Sequence, residues 1–168
     1  MFLIYLDVCC LNRPFDDQMQ ERIRLEAEAV LLILARCQNR EWRLLGSEAI
    51  GFEISRIPDE DRRRKVVLLA SLADSKVSVT ERVERRAMEL EELGFKALDA
   101  LHIACAEDGN ADVLLTTDDR FLRRAAMHGS IAKVRIENPI LWLMEVIRDE
   151  ATGGQSSANQ GPGDRGVG

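Results

Sequence analysis

The sequence predicts an α/β protein, a three-layer α/β/α sandwich with a mainly parallel central sheet. Three observations predict it. Strand-like and helix-like segments alternate along most of the chain, the pattern of parallel strands joined by helical crossovers. The four main strand segments are continuous apolar runs rather than alternating ones, which fits burial on both faces. Caps, prolines and glycines fall at the boundaries between segments.

In chain order, "FLIYLD" reads as a buried strand. "DDQMQERIRLEAEAVLLILARCQNR" reads as one long helix, with Asp17 and Gln20 as a capping box. Ile23, Ala27, Val30, Leu31 and Leu34 form its apolar face. "WRLLGS" is the second strand, and "EAIGFEISRI" a short helix stopping before Pro58. Pro58 starts the helix "PDEDRRRKVVLLASLA", with acids in its first turn. "KVSV" is a small strand. Thr80 caps "ERVERRAMELEEL", which stops at Gly94. "KALDALHIACAED" is helical, "ADVLLTT" the third clear strand, and "DDRFLRRAAMH" a helix ended by Gly129. "KVRI" is a fourth core strand, and Pro139 introduces the helix "ILWLMEVIR". Residues 1–149 therefore make one globular domain. Residues 150–168, rich in Gly, Ser and Gln, make a tail expected to be disordered.

Composition narrows the function. At 168 residues the chain can bury a full core without disulfide or metal staples. A net charge of −6 argues against broad electrostatic capture of nucleic acid, though not against a local basic strip. Of the four cysteines none forms a CxxC pair, and the two histidines lack zinc-type spacing, so reduced, buried thiols are expected. There is no apolar run long enough to span a membrane, and the start is too short for a signal sequence. A cytoplasmic location is expected.

The chemistry lies in the acids. Asp7 ends the first strand, Asp118 follows the third, and Glu48 and Glu53 follow the second. Parallel topology with right-handed crossovers brings these strand ends to one edge, where open α/β sheets bind ligands. Asp99 lies in the middle of a helical run, with Phe95 and Ile103 four residues to either side. A carboxylate on an inward face is costly unless it is paired or bound to a cation. Each acid also has an ordinary structural use. Asp118 suits a helix N-cap, Asp7 a turn, Glu48 a first-turn position, Asp99 a salt bridge, and Glu53 a surface pair with Arg56 or Arg13. Together, however, four converging acids repel unless some stay protonated or a divalent cation neutralises them. Oxygen ligands without His or Cys suit Mg²⁺ or Mn²⁺. His102 reads as a packed helix residue and His128 as a helix-end residue.

"IYLDVCCLNRPF", "SEAIGFEI", "LDALHIACAE" and "LLTTDDRFLRRA" resemble, in order and separation, the four acidic motifs of PIN domains. The resemblance covers Phe2 to Ile147, and its third and fourth motifs are the more specific. It implies a PIN-like fold and an Mg²⁺- or Mn²⁺-dependent endoribonuclease. It further implies a homodimer, and a small antitoxin partner of the kind found in VapBC-type pairs. By position, Asp7, Asp99 and Asp118 match the first, third and fourth acids, the expected metal ligands. Counting from Ser47 gives Glu53 as the second acid, with Glu48 the alternative. Thr116 or Thr117 would offer a hydroxyl. Cys9 stands where such proteins often carry Ser, Thr or Asn.

Basic residues cluster in three helices, and most read as solvated faces in local ion pairs. Arg120 and Arg123 stand nearest the acids, as candidates for phosphate or an acidic antitoxin segment. Two other readings compete. A haloacid-dehalogenase-type phosphatase needs a second Asp two residues after the first, where Cys9 stands. A PIN-like scaffold without catalysis has no evident need for all four acids.

Overall fold

The computed structural model describes residues 1–156 of the chain. Five strands form one sheet: β1 (Leu3–Leu6), β2 (Arg43–Ser47), β3 (Ser75–Val77), β4 (Val113–Leu115) and β5 (Arg135–Glu137). Their order is β3-β2-β1-β4-β5. Every pairing is parallel, with Ile4 beside Leu44 on one side and Val113 on the other. Eight α-helices are described: α1 (Val8–Asn12), α2 (Glu21–Gln38), α3 (Glu48–Ser55), α4 (Glu60–Ala70), α5 (Glu81–Glu92), α6 (Ala97–Asp108), α7 (Asp119–Met127) and α8 (Pro139–Ser156). They complete the three-layer α/β/α arrangement, with α5 on α6 and α2 on α8 as the principal helix pairs.

The middle strands behave as their composition demands. Ile4, Tyr5, Leu6, Leu44, Leu45, Val113, Leu114 and Leu115 are all buried. Because β1, β2 and β4 run parallel, their C-terminal residues share one edge. That edge receives Asp7, Ser47 and Thr116 as the chain leaves each strand. The opposite edge is closed by aromatic rings. Phe2, Trp42 and Trp142 meet edge-to-face, the two indoles 5.2 Å apart between centroids, with Arg36 stacked over Trp42 at 4.7 Å.

Several local expectations are met. Thr80 accepts a hydrogen bond from the Val83 N–H and caps α5. Gly94 ends that helix at φ +95°, where a Cβ would stand 3.0 Å from the Arg124 guanidinium. The four cysteines are free thiols, three of them buried.

Other expectations need correction. The stretch after Asp7 is helical: α1 and a 3₁₀ turn at Arg13–Phe15 precede α2. Helix α2 starts at Glu21, and Asp17 does not cap it. Its Oδ1 instead accepts from the Met19 N–H in a local turn. Pro58 precedes the true cap of α4, Asp59, whose side chain accepts from the Arg62 N–H. The expected core strand "KVRI" is the edge strand β5, shifted toward Glu137 and only partly covered, because no strand among the described residues pairs with its far side. Helix α8 runs past its expected end at Arg148 to Ser156, with Glu150 tied to Arg36 at 2.8 Å. The expected disordered tail, residues 150–168, is therefore helical as far as Ser156, and its remainder lies outside the described residues. No helix among them is long and apolar enough to cross a membrane.

Candidate active site

Asp7 is the first residue after β1 and is nearly fully buried. Its extended backbone makes it the N-cap of α1, with Oδ1 accepting from the Val8 N–H at 2.7 Å. Oδ2 accepts from the Thr116 hydroxyl at 2.9 Å and from the Cys9 thiol at 3.2 Å. The thiol thus lies between Asp7 and the Thr116 hydroxyl, 3.3 Å from the latter. It also accepts from the Thr117 N–H at 3.3 Å, tying the β1 and β4 exits together.

Asp118 caps α7, its Oδ1 accepting from the N–H groups of Arg120 and Phe121. Its own N–H bonds Thr116 Oγ1 at 3.2 Å. The structural reading of Asp118 as a cap is therefore correct, and it leaves Oδ2 available. Thr117 Oγ1 is buried with no hydrogen-bond partner among the described residues.

Asp99 stands differently from its sequence reading. Helix α6 starts at Ala97, so Asp99 is in its first turn rather than mid-helix. Since α6 runs back toward the start of β4, that first turn lies at the acidic edge. Burial, then the charges of Asp7 and Asp118, push the Asp99 carboxyl up to about 7, with His102 and Lys96 opposing weakly. Among the described residues, no Arg or Lys forms an ion pair with Asp7, Asp99 or Asp118.

Glu53, on the second turn of α3, reaches the cluster through His102. Its Oε2 lies 2.7 Å from His102 Nε2, which is 3.5 Å from Asp7 Oδ1. One ligand-type atom from each of these three residues lies within 4.8 Å of the others. Glu48 points elsewhere: it is exposed, and its carboxylate accepts from the Val79 N–H at 2.8 Å. The geometry thus separates the two glutamates that the sequence leaves open.

The residue that sequence reasoning passed over is His102. It is completely buried, and Nδ1 meets the Tyr5 hydroxyl at 2.6 Å. Tyr5 in turn meets Ser47 Oγ at 2.7 Å. Burial opposes charge on the ring, but the Glu53 hydrogen bond and the charges of Asp7, Glu53 and Asp99 outweigh it and raise its pKa. A sequence signal existed in the spacing Asp99–His102, one helical turn apart, but Tyr5 lies 97 residues away.

Arg120 and Arg123 are exposed on α7 beside Asp118, and neither side chain forms an ion pair among the described residues. The neighbouring Asp119 is bound bidentately by Arg22, both contacts at 2.7 Å. Arg22 also reaches the buried Glu26, which Arg13 and Asn138 hold at 3.1 and 2.8 Å. Arg13 and Arg62 share Asp16. A ladder of paired charges therefore runs from α4 to α7 alongside the unpaired acids.

This fold, with acids gathered at the C-terminal edge of a parallel sheet, defines a class of acid-cluster α/β domains. Residues 4–127 match the PIN domain family, and the chain belongs to it. Among solved structures it is similar to FitAcB from Neisseria gonorrhoeae, with 18% identity and a TM-score of 0.51 over 81% of this chain and 97% of that one. It is also similar to VapBC2 from Rickettsia felis bound to a DNA fragment from its promoter, with 15% identity and a TM-score of 0.50 over 81% and 98%. At such identities the likeness shows the fold. No curated protein matches the sequence.

Proposed function

We propose that the protein is a divalent-cation-dependent endoribonuclease that uses Asp7, Asp99 and Asp118 to hold Mg²⁺ or Mn²⁺. The observation that carries this reading is the state of Asp99. Burial and then two other acids suppress its ionisation, and no arginine or lysine among the described residues is paired with any of the three. A carboxyl in that position can give up its proton to solvent at neutral pH as a cation takes its place. The donor set fits a hard cation: carboxylate oxygens, with the unpartnered hydroxyl of Thr117 nearby. When bound, such a cation neutralises phosphate charge and acidifies water.

The chain's own groups supply the rest. Val8 N–H and the Thr116 hydroxyl fix the two oxygens of Asp7. The first turn of α7 fixes Asp118. Glu53 borders the cluster, placed to act directly or to orient water. Arg120 and Arg123, exposed on the helix that Asp118 caps and without an ion pair among the described residues, are candidates to contact the RNA backbone.

Titration with Mn²⁺ by calorimetry, beside Asp7→Asn and Asp99→Asn, tests the reading. Saturable binding lost in both variants, with RNA cleavage lost alongside, is the expected result. Wild type that binds neither Mn²⁺ nor Mg²⁺, with or without RNA, would overturn it and favour a scaffold.

We further infer that the protein is the toxin of a toxin–antitoxin pair and works in the cytoplasm as a homodimer. Support comes from family membership and from the likeness to a VapBC protein. Expression should arrest bacterial growth, and Asp7→Asn should not. Light scattering should give twice the mass of the single chain.

A further inference from the structure

Building on the nuclease reading, we infer that His102 is the positioning residue for Glu53, itself locked by Tyr5 and Ser47. A chain of short contacts carries this. The Ile50 N–H donates to Ser47 Oγ at 3.1 Å, Ser47 Oγ meets Tyr5 Oη at 2.7 Å, Tyr5 Oη meets His102 Nδ1 at 2.6 Å, and His102 Nε2 meets Glu53 Oε2 at 2.7 Å. It crosses four elements: the end of β2, the middle of β1, helix α6 and helix α3. Every member except Glu53 is buried.

The geometry decides between a ligand and a bridge. With Glu53 and Asp7 the ring could be taken as a third donor to a cation. But Nε2 faces two carboxylates, and a carboxylate only accepts. Nε2 therefore carries a hydrogen toward Glu53 whether the ring is neutral or charged. Nδ1 faces the Tyr5 hydroxyl, which donates to a neutral ring or accepts from a charged one. Neither nitrogen presents a free lone pair to a cation. The ring instead fixes the Glu53 carboxylate beside Asp7, the arrangement by which buried outer groups orient metal-binding acids.

A purely structural histidine would be a poor choice here. Its neighbours along α6 are Ile103, Ala104, Cys105 and Ala106, all buried, and an aliphatic side chain would fill the space without two polar atoms to satisfy. Glu53 gains a fixed direction instead. Its side chain is about a third exposed, so its free oxygen can face the site while the other is held.

A mutant cycle tests this. Mn²⁺ affinity and unfolding midpoint would be measured for wild type, His102→Leu, Glu53→Gln and the double variant. His102→Leu should weaken Mn²⁺ binding about 10-fold, and the double variant should be no weaker than Glu53→Gln alone. Losses that simply add, or a His102→Leu protein that binds Mn²⁺ like wild type, would overturn the proposal. Should His102→Leu not fold, His102→Gln keeps a donor for Glu53 and should bind within about 3-fold of wild type; a 10-fold loss there would also overturn it. A further readout is independent of catalysis. In metal-free protein, nitrogen NMR should show a protonated, slowly exchanging His102 Nε2 whose shift moves in Glu53→Gln. An unprotonated Nε2 would refute the bridge even if the nuclease reading stands. Wild type that shows the bridge but binds no Mn²⁺ would refute the nuclease reading alone.

Discussion

Two groups of acids lie side by side in this molecule. Glu26, Asp16 and Asp119 are each held by arginine, and Glu26 is completely buried without an unmet charge. Asp7, Asp99 and Asp118 have no such partner among the described residues, and burial, then the charges of Asp7 and Asp118, push the Asp99 carboxyl up to about 7 with no arginine to oppose them. The difference teaches that burial alone does not mark a functional acid. What marks one is a carboxylate that the rest of the chain has left unneutralised, at a place a ligand can reach.

The comparison can be broken most forcefully in the paired ladder. Glu26→Ala leaves Arg13 only its Asp16 contact and deprives the buried Asn138 amide of its acceptor, and urea unfolding should show a loss of about 2–3 kcal/mol. Next comes the open cluster. Asp7→Asn should lower RNA cleavage about 100-fold or more in a single-turnover assay, with little loss of stability.

A smaller effect has the opposite sign. The raised Asp99 carboxyl means that the folded protein holds this proton more tightly than the unfolded chain does. That stability is present below about pH 4 and is lost as pH rises toward about 7. Metal-free protein should therefore lose about 1–2 kcal/mol across this window, after allowance for solvent screening at a partly exposed group. Asp99→Asn should abolish the slope and stabilise the metal-free form, and Mn²⁺ should offset the loss in wild type. Denaturant midpoints taken across the pH range check all three. Least affected should be Arg22→Gln, which breaks the exposed contact to Asp119 and a 3.5 Å contact to Glu26, a carboxylate that Arg13 and Asn138 still hold. Its unfolding midpoint should be hard to separate from wild type.

Much of this was legible before any coordinates. The apolar runs ending at Asp7 and Asp118 were readable because a strand buried on both faces leaves no alternation to confuse it. Thr80 and Gly94 announced their helix ends through local chemistry. Helix α1 was not readable: five residues carry no periodicity, and its cap is the acid that the motif assigns to the site. Asp99 was placed mid-helix because "KALDALHIACAED" has no marked start, Lys96 providing no side-chain cap. The Tyr5–His102–Glu53 chain and the arginine ladder were invisible for a different reason. Their key contacts, Arg13–Glu26, Glu53–His102, Tyr5–His102 and Arg22–Asp119, span 13 to 97 residues, and only the assembled fold brings them together.

The aromatic cap at the other edge of the sheet has a practical consequence. Both tryptophans of the chain, Trp42 and Trp142, sit there, edge-on to one another and remote from the acids. Their emission and their coupled near-ultraviolet dichroism form an optical channel for the integrity of the fold. A paramagnetic ion among Asp7, Asp99 and Asp118 lies across the sheet from them, so titrating it in should leave that channel quiet while the protein stays folded.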